Sequence, residues 1–392
     1  MKKRLVGGLL ITENGIEEKD LLISNGKIES LLDKDAPDPA DCIEIDCEGN
    51  YVSAGFVDIH QHGGGGGDYM DCETDTYLNI TNAHLAHGTT SVMPTLLSAG
   101  KDALIKAIDA YNEALNDTRI KAHLLGIHLE GRYISPYQAG AQKPENICEF
   151  DEKEYSAIIA KAQGNIKRWS VAPEIKGSKR FAEVAKANGI TLSIAHSNAD
   201  FDTVLEAYEN GYKHVTHLYS CVSTIVRRDG FRVPGVLEAA YYIDGMNVEI
   251  IADGCHLPLS LLSYVAKFKE NSRIALITDA MRAAGQNVKK SFLGSADDPL
   301  DVIVEDGVAK LTDRSAFAGS VATADRLIRN MVKSGVDIPN AVRMMTVNPI
   351  KMMGLNVKKG ELREGFDADI CVFDGDINIK AVYVSGEKVD VI

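Results

Sequence analysis

The sequence lacks any apolar run that approaches the roughly 20 residues needed to cross a bilayer, and we expect no membrane-spanning segment. It also lacks an excess of basic residues, since 42 Lys and Arg stand against 56 Asp and Glu and the formal net charge is −14. Nucleic acid, which requires a contiguous basic surface, is therefore not an expected partner. An anionic small substrate stays compatible with this charge if a metal ion or a few cationic side chains bind it locally.

Cysteines are few and scattered. The seven are odd in number and include no Cys-x-x-Cys pair, so neither a disulfide framework nor a zinc finger is predicted, and a reducing cytoplasm is the expected location. The N-terminal Met-Lys-Lys-Arg and the apolar residues 5–11 superficially resemble a signal peptide. That stretch contains two glycines and no small-residue cleavage site follows it, so we interpret it as a first strand and its turn.

The chain ends have the pattern of β-structure. The 392 residues, 45% hydrophobic and 25% charged, suffice for one large domain and a small satellite. Asn14-Gly15 and Asn25-Gly26, each between apolar runs, predict two hairpins, and strand patterns return over residues 369–373 and 379–384. Both termini together are predicted to form a small β-sandwich domain, from residues 1–53 and 355–392.

Between these ends, residues 54–354 alternate short apolar runs with helix-like segments. The eight apolar runs cover residues 55–60, 89–94, 122–130, 169–172, 191–196, 215–219, 248–252 and 274–278. Eight βα units over about 300 residues predict a (β/α)8 TIM-type barrel. An open, doubly wound sheet is the alternative, and the positions of the polar residues favour the barrel.

Ionisable residues end six of the eight predicted strands, where the active sites of barrel enzymes lie. These residues are His60 and His62, Glu130, His196, His217, Asp253 and Asp279. Residues i and i+2 of a strand point to the same side, so His60 and His62 can address one point. A lone histidine there would be structural, but this pair with a carboxylate and two further histidines predicts a metal site. Such ligands suit zinc, iron, manganese or nickel, and the sequence does not choose among them.

Other polar features are interpreted individually. Asp279 alone would be a helix N-cap, but beside a metal it can take a proton from water and return it to a leaving amine, and we predict this acid/base role. The run Gly63–Gly67 lacks the Gly-Lys-Ser/Thr ending of a phosphate-binding loop and is predicted to be a turn that passes close to the site. His84, His87 and His214 are expected to be structural.

Several motifs occur in order along the predicted barrel. They are Gly55-Phe-Val-Asp-Ile-His-Gln-His-Gly63, His128-Leu-Glu-Gly131, Ala195-His-Ser-Asn-Ala199, Thr216-His-Leu-Tyr219, Ile250-Ile-Ala-Asp-Gly-Cys-His256, Thr278-Asp-Ala-Met281 and Ala318-Gly-Ser320. Together they resemble the N-acetylglucosamine-6-phosphate deacetylase family of amidohydrolases. The resemblance implies hydrolysis of N-acetyl-D-glucosamine 6-phosphate to D-glucosamine 6-phosphate and acetate, with a related sugar such as N-acetylgalactosamine 6-phosphate as the alternative.

The resemblance also implies roles for individual residues, with Asp279 as the catalytic acid/base. The principal metal ligands would be Glu130, His196 and His217, and an optional second ion would be held by His60 and His62. The implied cofactor is one or two divalent ions, with zinc as the expected metal and iron, manganese, nickel and cobalt as alternatives. The residues implied to bind substrate are Gln142, Ser220, Cys221, Arg232, Asp253, His256, Phe317, Ala318 and Gly319.

The sequence departs from the family around the expected sugar pocket. Ser220-Cys221 replaces Asn-Ala, Gln142 stands where a histidine is common, Arg132 follows Glu-Gly, and four residues are inserted around 227–230. The chemistry is thus better determined than the substrate. Because family members dimerise and can complete the phosphate site across the interface, a homodimer is expected. A non-catalytic barrel is the alternative from another class; it predicts a missing ligand or base, and the sequence retains both.

Overall fold

The computed structural model describes residues 2–37, 39 and 41–390. Its centre is a nearly closed barrel of eight parallel strands, in which strands 1 to 8 are hydrogen-bonded neighbours in chain order. Barrel strands 1 to 8 are Phe56–Gln61, Thr89–Leu96, Ile127–Glu130, Ile166–Val171, Thr191–Ile194, Tyr212–Val215, Asn247–Ile250 and Ile274–Leu276. The predicted (β/α)8 fold is confirmed.

Helices alternate with the strands and bury one apolar face each. In the helix Lys101–Ala114, the buried residues Leu104, Ile108 and Tyr111 recur every three to four positions and form one stripe. The other α-helices are Thr74–Leu85, Glu152–Ala162, Ser178–Ala187, Phe201–Glu209, Val236–Tyr242, Leu259–Phe268, Ala324–Lys333, Ile338–Arg343 and Val347–Met352. Among the described residues, none of these helices has the length and apolar character that a membrane crossing requires.

The two chain ends form further sheets that pack on each other. A four-stranded sheet contains Lys2–Val6, Lys19–Ser24, Lys27–Asp33 and Cys42–Asp46. A six-stranded sheet combines both termini in Leu9–Thr12, Gly15–Glu17, Tyr51–Ala54, Ile370–Phe373, Ile379–Val384 and Glu387–Lys388. Leu5, Leu10, Leu21 and Ile370 belong to their common core. The predicted β-module from both termini is confirmed, and we keep residues 54 and 354 as the proposed limits of the barrel domain.

Barrel strand 6 lies earlier in the chain than predicted. It covers Tyr212–Val215 rather than residues 215–219, because His217 and Tyr219 have φ angles of 33° and 78°, left-handed conformations that cannot continue a strand. His217 therefore lies in the loop that follows the strand. For a related reason the predicted run 122–130 is interrupted at Gly126, whose φ is 124°.

Two antiparallel elements are inserted in the barrel whose strands the sequence does not predict, although the first contains the four residues noted above as inserted around 227–230. A hairpin of Val226–Arg228 and Phe231–Val233 follows barrel strand 6. A three-stranded sheet follows barrel strand 8 and contains Lys290–Leu293, Leu300–Glu305 and Val308–Leu311. Both insertions leave the barrel at the carboxyl ends of its strands.

A buried ion network joins the terminal sheets to the barrel. Lys359 Nζ lies 2.7 Å from a carboxylate oxygen of Asp367 and 2.7 Å from one of Asp369, and the His123 ring lies 3.1 Å from Asp369. Burial by itself raises the pKa of Asp369, but His123 and Lys359 outweigh it and lower the pKa to about 2. The ammonium group of Lys359 thus supplies the positive charge that these two carboxylates require.

We expect Asp369 to stabilise the fold at neutral pH and to lose this contribution as the pH falls from about 4 to about 2. Its pKa in the folded protein is below the ordinary value of 3.8, so the unfolded chain takes up the proton first. The lowering of the Asp369 pKa corresponds to a contribution of roughly 2 kcal/mol to the free energy of unfolding at neutral pH. In urea unfolding, the free energy of unfolding of Asp369→Asn should be lower than that of the wild type at pH 7, and the difference should be smaller at pH 3. The exposed Asp35→Asn variant is the control. An equal separation at both pH values would contradict this prediction.

Candidate metal and active site

Six ionisable side chains converge at the carboxyl ends of the barrel strands. They form two groups, His60, His62 and Asp279 in one and Glu130, His196 and His217 in the other. Within each group the possible ligand atoms all lie within 4.8 Å of one another. All six residues are buried, and Asp279 is the most exposed at 8%. The structure thus brings together the residues predicted as metal ligands and the residue predicted as the acid/base.

Glu130 faces both groups. Its Oε1 lies 2.9 Å from Nε2 of His217 and 3.4 Å from Nε2 of His196, while its Oε2 lies 3.2 Å from Nε2 of His62. Burial by itself raises the pKa of Glu130, but the charge of His60 and hydrogen bonds from the other three histidines hold it well below its ordinary value. The carboxylate is therefore ionised, and its two oxygens are divided between the groups as a bridging ligand requires.

Backbone carbonyls orient three of the four histidines. The Nδ1 atoms of His62, His196 and His217 lie 3.2, 2.8 and 3.1 Å from the carbonyl oxygens of Thr95, Gln138 and Ser220, respectively. A carbonyl oxygen can only accept a hydrogen bond, so each ring carries a proton on Nδ1 and turns its Nε2 to the site, where a bound metal ion would take the Nε2 lone pair. This is the orientation that metal-binding histidines adopt.

Three of the six residues have left-handed backbone. His196, His217 and Asp279 have φ angles of 45°, 33° and 47°. Each such conformation costs about 1 kcal/mol or more for a residue other than glycine and persists where surrounding contacts enforce it, typically at functional sites. At Asp279 the backbone N–H donates to the carbonyl of His60 over 2.9 Å. The strain thus coincides with the candidate ligands and aims their side chains at one point.

Asp58 fixes barrel strand 1 against the loop after strand 8. Its Oδ2 accepts a hydrogen bond of 2.5 Å from the Thr278 hydroxyl, and its Oδ1 accepts from the backbone N–H groups of Thr278 and His60, both at 3.3 Å. Burial raises the pKa of Asp58 to about 7 even though these hydrogen bonds lower it. The contacts hold His60 and Asp279 side by side where the barrel closes.

The donor set requires positive charge at its centre. Burial by itself lowers the pKa of His62, but the carboxylates of Asp279 and Glu130, each 3.2 Å from its Nε2, raise it to about 10. A proton or a divalent cation can supply that charge. Imidazole and carboxylate donors in this number suit zinc and its first-row neighbours, so the residues present fit a divalent metal.

The glycine run passes close to this site as predicted, but in a tight β-ribbon. Gly63–Gly64 pairs with Gly67–Asp68. A Cβ atom on Gly63 would lie 2.2 Å from the carbonyl oxygen of Gly67 and 3.1 Å from the backbone nitrogen of Arg282. Only glycine fits this close approach.

A cavity of about 250 Å³ lies next to the six side chains. Of the residues predicted to bind substrate, those in its wall are Gln142, Ser220, Cys221, His256, Phe317 and Gly319. The wall also contains apolar residues that a sequence does not distinguish from core residues, among them Leu97, Ala141, Tyr219 and Leu293. A larger cavity of about 750 Å³ lies at the opposite end of the barrel, around His214 and Arg273.

Three predicted substrate contacts lie away from the cavity wall. Asp253 is buried beside His256, with its Oδ2 2.8 Å from Nδ1 of that ring, so it orients His256. Ala318 is fully buried. Arg232 is exposed on the hairpin of residues 226–233, where it donates to the carbonyl of Gly230. None of these three side chains contributes to the wall that the described residues of this chain form.

Two departures from the family pattern have different structural roles. Gln142 Nε2 donates to Glu130 Oε2 over 2.9 Å, and its Oε1 accepts from the Ser98 backbone N–H over 3.1 Å, so its amide holds the Glu130 carboxylate. Arg132 instead pairs with Glu154 at 3.0 Å and is absent from the cavity wall that the described residues form. The first departure affects the site directly, and the second is structural.

Comparison with known proteins agrees with this geometry. The model of the amidohydrolase family matches residues 51–389. The N-acetylglucosamine-6-phosphate deacetylase of Bacillus subtilis is 33% identical over 384 residues, which cover 94% of this chain and 92% of that protein. The N-acetylgalactosamine-6-phosphate deacetylase of Escherichia coli O157:H7 is 28% identical over 383 residues, 96% of this chain and 97% of that protein.

A solved structure is similar over the whole chain. The crystal structure of N-acetylglucosamine-6-phosphate deacetylase from Pasteurella multocida has a TM-score of 0.91 and 26% sequence identity, and the match covers 99% of this chain and 100% of that one. The terminal sheets and the barrel are therefore shared as one arrangement. The chain belongs to the amidohydrolase family.

Proposed function

We propose that the protein catalyses the metal-dependent hydrolysis of N-acetyl-D-glucosamine 6-phosphate to D-glucosamine 6-phosphate and acetate. The observation that carries the proposal is the convergence of Glu130, His196, His217 and Asp279 on one side of a small cavity. Support also comes from similar proteins named for this reaction, from Bacillus subtilis and Pasteurella multocida.

The site has donors for one or two divalent ions. Glu130, His196 and His217 would hold one ion, and His60, His62 and Asp279 a second, with Glu130 in reach of both. We propose zinc, with iron, manganese, nickel and cobalt as alternatives, because imidazole and carboxylate donors accept each of them. A bound ion would supply the Lewis acidity that activates water and polarises the acetamide carbonyl.

Asp279 carries out the proton transfers in this proposal. Burial by itself raises its pKa, but the charge of His60 and the hydrogen bond from His62 lower it below the ordinary value, so the carboxylate is ionised at neutral pH. It can accept the proton of the water whose oxygen attacks the acetamide carbon. As the C–N bond breaks, the same carboxyl group returns that proton to the sugar nitrogen, and acetate and the free amine are released.

Two cationic groups are proposed to bind the 6-phosphate. The His256 ring lines the cavity and is held by Asp253, and in its protonated form it would donate to a phosphate oxygen. Arg232 lies on an exposed hairpin away from its own cavity, next to Phe231, which is 77% exposed. We propose a homodimer in which this hairpin supplies Arg232 to the second copy.

A cytoplasmic location is proposed from the scattered cysteines and the phosphorylated substrate.

Arg232→Ala is expected to raise KM for the phosphorylated sugar by about 10- to 100-fold, the range for losing a hydrogen bond to a charged group, with little change in kcat. Unphosphorylated N-acetylglucosamine should show no such rise. Steady-state acetate release on both sugars measures the difference, and Arg228→Ala on the same hairpin is the matched control. An equal rise for both sugars would contradict phosphate binding by Arg232.

A substrate panel tests the proposed function. Acetate release is measured with defined metals on N-acetylglucosamine 6-phosphate, N-acetylgalactosamine 6-phosphate and N-acetylglucosamine. We expect the highest kcat/KM for the first. A higher value for the galactosamine epimer or for the unphosphorylated sugar would overturn the substrate assignment, and no turnover of any of them would favour a non-catalytic barrel.

A further inference from the structure

The barrel interior beneath the six side chains is charged. In this fold branched apolar side chains usually fill the interior, whereas here Arg168 and Glu249, both 0% exposed, form an ion pair. Arg168 Nη2 also donates to the hydroxyls of Ser193 over 3.1 Å and Thr216 over 2.6 Å. A fully buried ion pair contributes little net stability compared with apolar packing. The position of the Arg168–Glu249 pair under the site therefore points to a role other than stabilising the fold.

Glu249 is the acidic neighbour of His60. Its Oε2 lies 3.7 Å from Nδ1 of His60, an ion-pair distance that is slightly longer than a hydrogen bond. The other three histidines direct Nδ1 to backbone carbonyls, but the buried Nδ1 of His60 has no hydrogen-bond partner within the described parts of the chain. Its Nε2 faces the site, 3.5 Å from Glu130 and 3.4 Å from Asp279. The carboxylate of Glu249 is thus the group placed to orient this ring.

We infer that Glu249 is a positioning residue that orients His60 and thereby sets the occupancy of the metal position formed by His60, His62 and Asp279. A small closure of the 3.7 Å gap lets the carboxylate accept the Nδ1 proton and makes Nε2 a better donor. Arg168 balances the charge of Glu249 in the interior. The inference rests on the proposed function only in taking the site to bind divalent ions. The position formed by Glu130, His196 and His217 does not depend on this contact.

Metal binding tests the inference without reference to activity. The full-length protein is dialysed to equilibrium against buffers of defined free Zn²⁺ or Co²⁺, and the bound ion is counted by mass spectrometry. The wild type is expected to bind two ions per chain in two affinity classes. Glu249→Gln should weaken one class by about 10- to 100-fold, the usual cost of losing a residue that orients a ligand, and remove one component of the Co²⁺ absorption spectrum. His60→Asn, which removes the ligand itself, should abolish the same class.

Two further variants separate this effect from general destabilisation. Asp20→Asn breaks another buried ion pair, Arg4–Asp20 at 2.7 Å in the terminal sheets, and should lower the melting temperature while both metal classes persist. If Glu249→Gln does not fold, the double variant Arg168→Met/Glu249→Leu removes the pair together and leaves no buried unpaired charge; it should lose the same class. The inference is overturned if either folded variant keeps both classes within about threefold of the wild type, or if the wild type binds a single ion. Neither of these results is a measurement of acetate release. Absence of acetate release would count against the proposed function and not against the role of Glu249.

Discussion

Asp279→Asn is expected to lower kcat for acetate release from N-acetylglucosamine 6-phosphate by about 10²- to 10⁴-fold, the range for loss of a general acid/base. The amide keeps the shape of the carboxylate but cannot accept a proton from water or return it to the sugar nitrogen. KM should change little, because Asp279 acts on the reacting atoms and the proposed phosphate contacts lie elsewhere. Steady-state kinetics on metal-loaded protein measures both parameters.

A matched control is available in another buried aspartate. Asp325 pairs with His87 at 3.1 Å, outside the cavity wall described above, so Asp325→Asn should retain near-wild-type kcat. Bound metal must be counted in each variant, since Asp279 also belongs to one of the two ligand groups. A folded, metal-loaded Asp279→Asn protein with kcat within tenfold of the wild type would contradict the acid/base role.

Glu130→Gln is expected to have the second large effect, a fall in metal affinity of more than about 100-fold, beyond the 10- to 100-fold typical of residues outside the first coordination sphere. The two oxygens of Glu130 lie close to His62 on one side and to His196 and His217 on the other. A neutral amide places an N–H donor at one of these positions and removes the negative charge that both ions would share. Metal content after dialysis against defined free Zn²⁺ measures the change.

Glu174→Gln is the control for this prediction. Glu174 follows the end of barrel strand 4, but its carboxylate does not join the candidate ligands. It accepts hydrogen bonds from the Ser197 hydroxyl over 2.7 Å and from the Asn198 backbone N–H over 2.6 Å. Its replacement should leave the metal content unchanged. Full metal content in Glu130→Gln would refute the assignment of Glu130 as the shared ligand.

The cluster of candidate ligands could be predicted because it follows from local rules. The period of a strand places His60 and His62 on one side, and their Nε2 atoms are 3.4 Å apart. In a parallel barrel, residues at the carboxyl ends of different strands meet, so Glu130, His196, His217 and Asp279 could be expected there as well. The displaced strand 6 did not disturb this prediction, because a loop directly after a strand lies at the same end of the barrel.

Contacts between distant parts of the chain could not be predicted. Gln142 lines the cavity, and its amide also joins Glu130, 12 residues away, to Ser98, 44 residues away, a contact that only the folded chain brings together. Arg168 and Glu249 are recognisable in the sequence as charged residues next to or within predicted apolar strands. Their pairing across the barrel could not be predicted, because it depends on which side of each strand faces inward. The role of Arg232 in the site is implied by resemblance alone, and its exposed position on the hairpin is the reason why we propose that it acts in a second copy.

Metal titration of chelator-treated protein, followed by acetate release from N-acetylglucosamine 6-phosphate, tests the central claim most directly. We predict no measurable turnover without metal and a return of activity in proportion to the ion bound, complete at one or two equivalents per chain. Turnover that persists in protein shown to contain no divalent metal would contradict it.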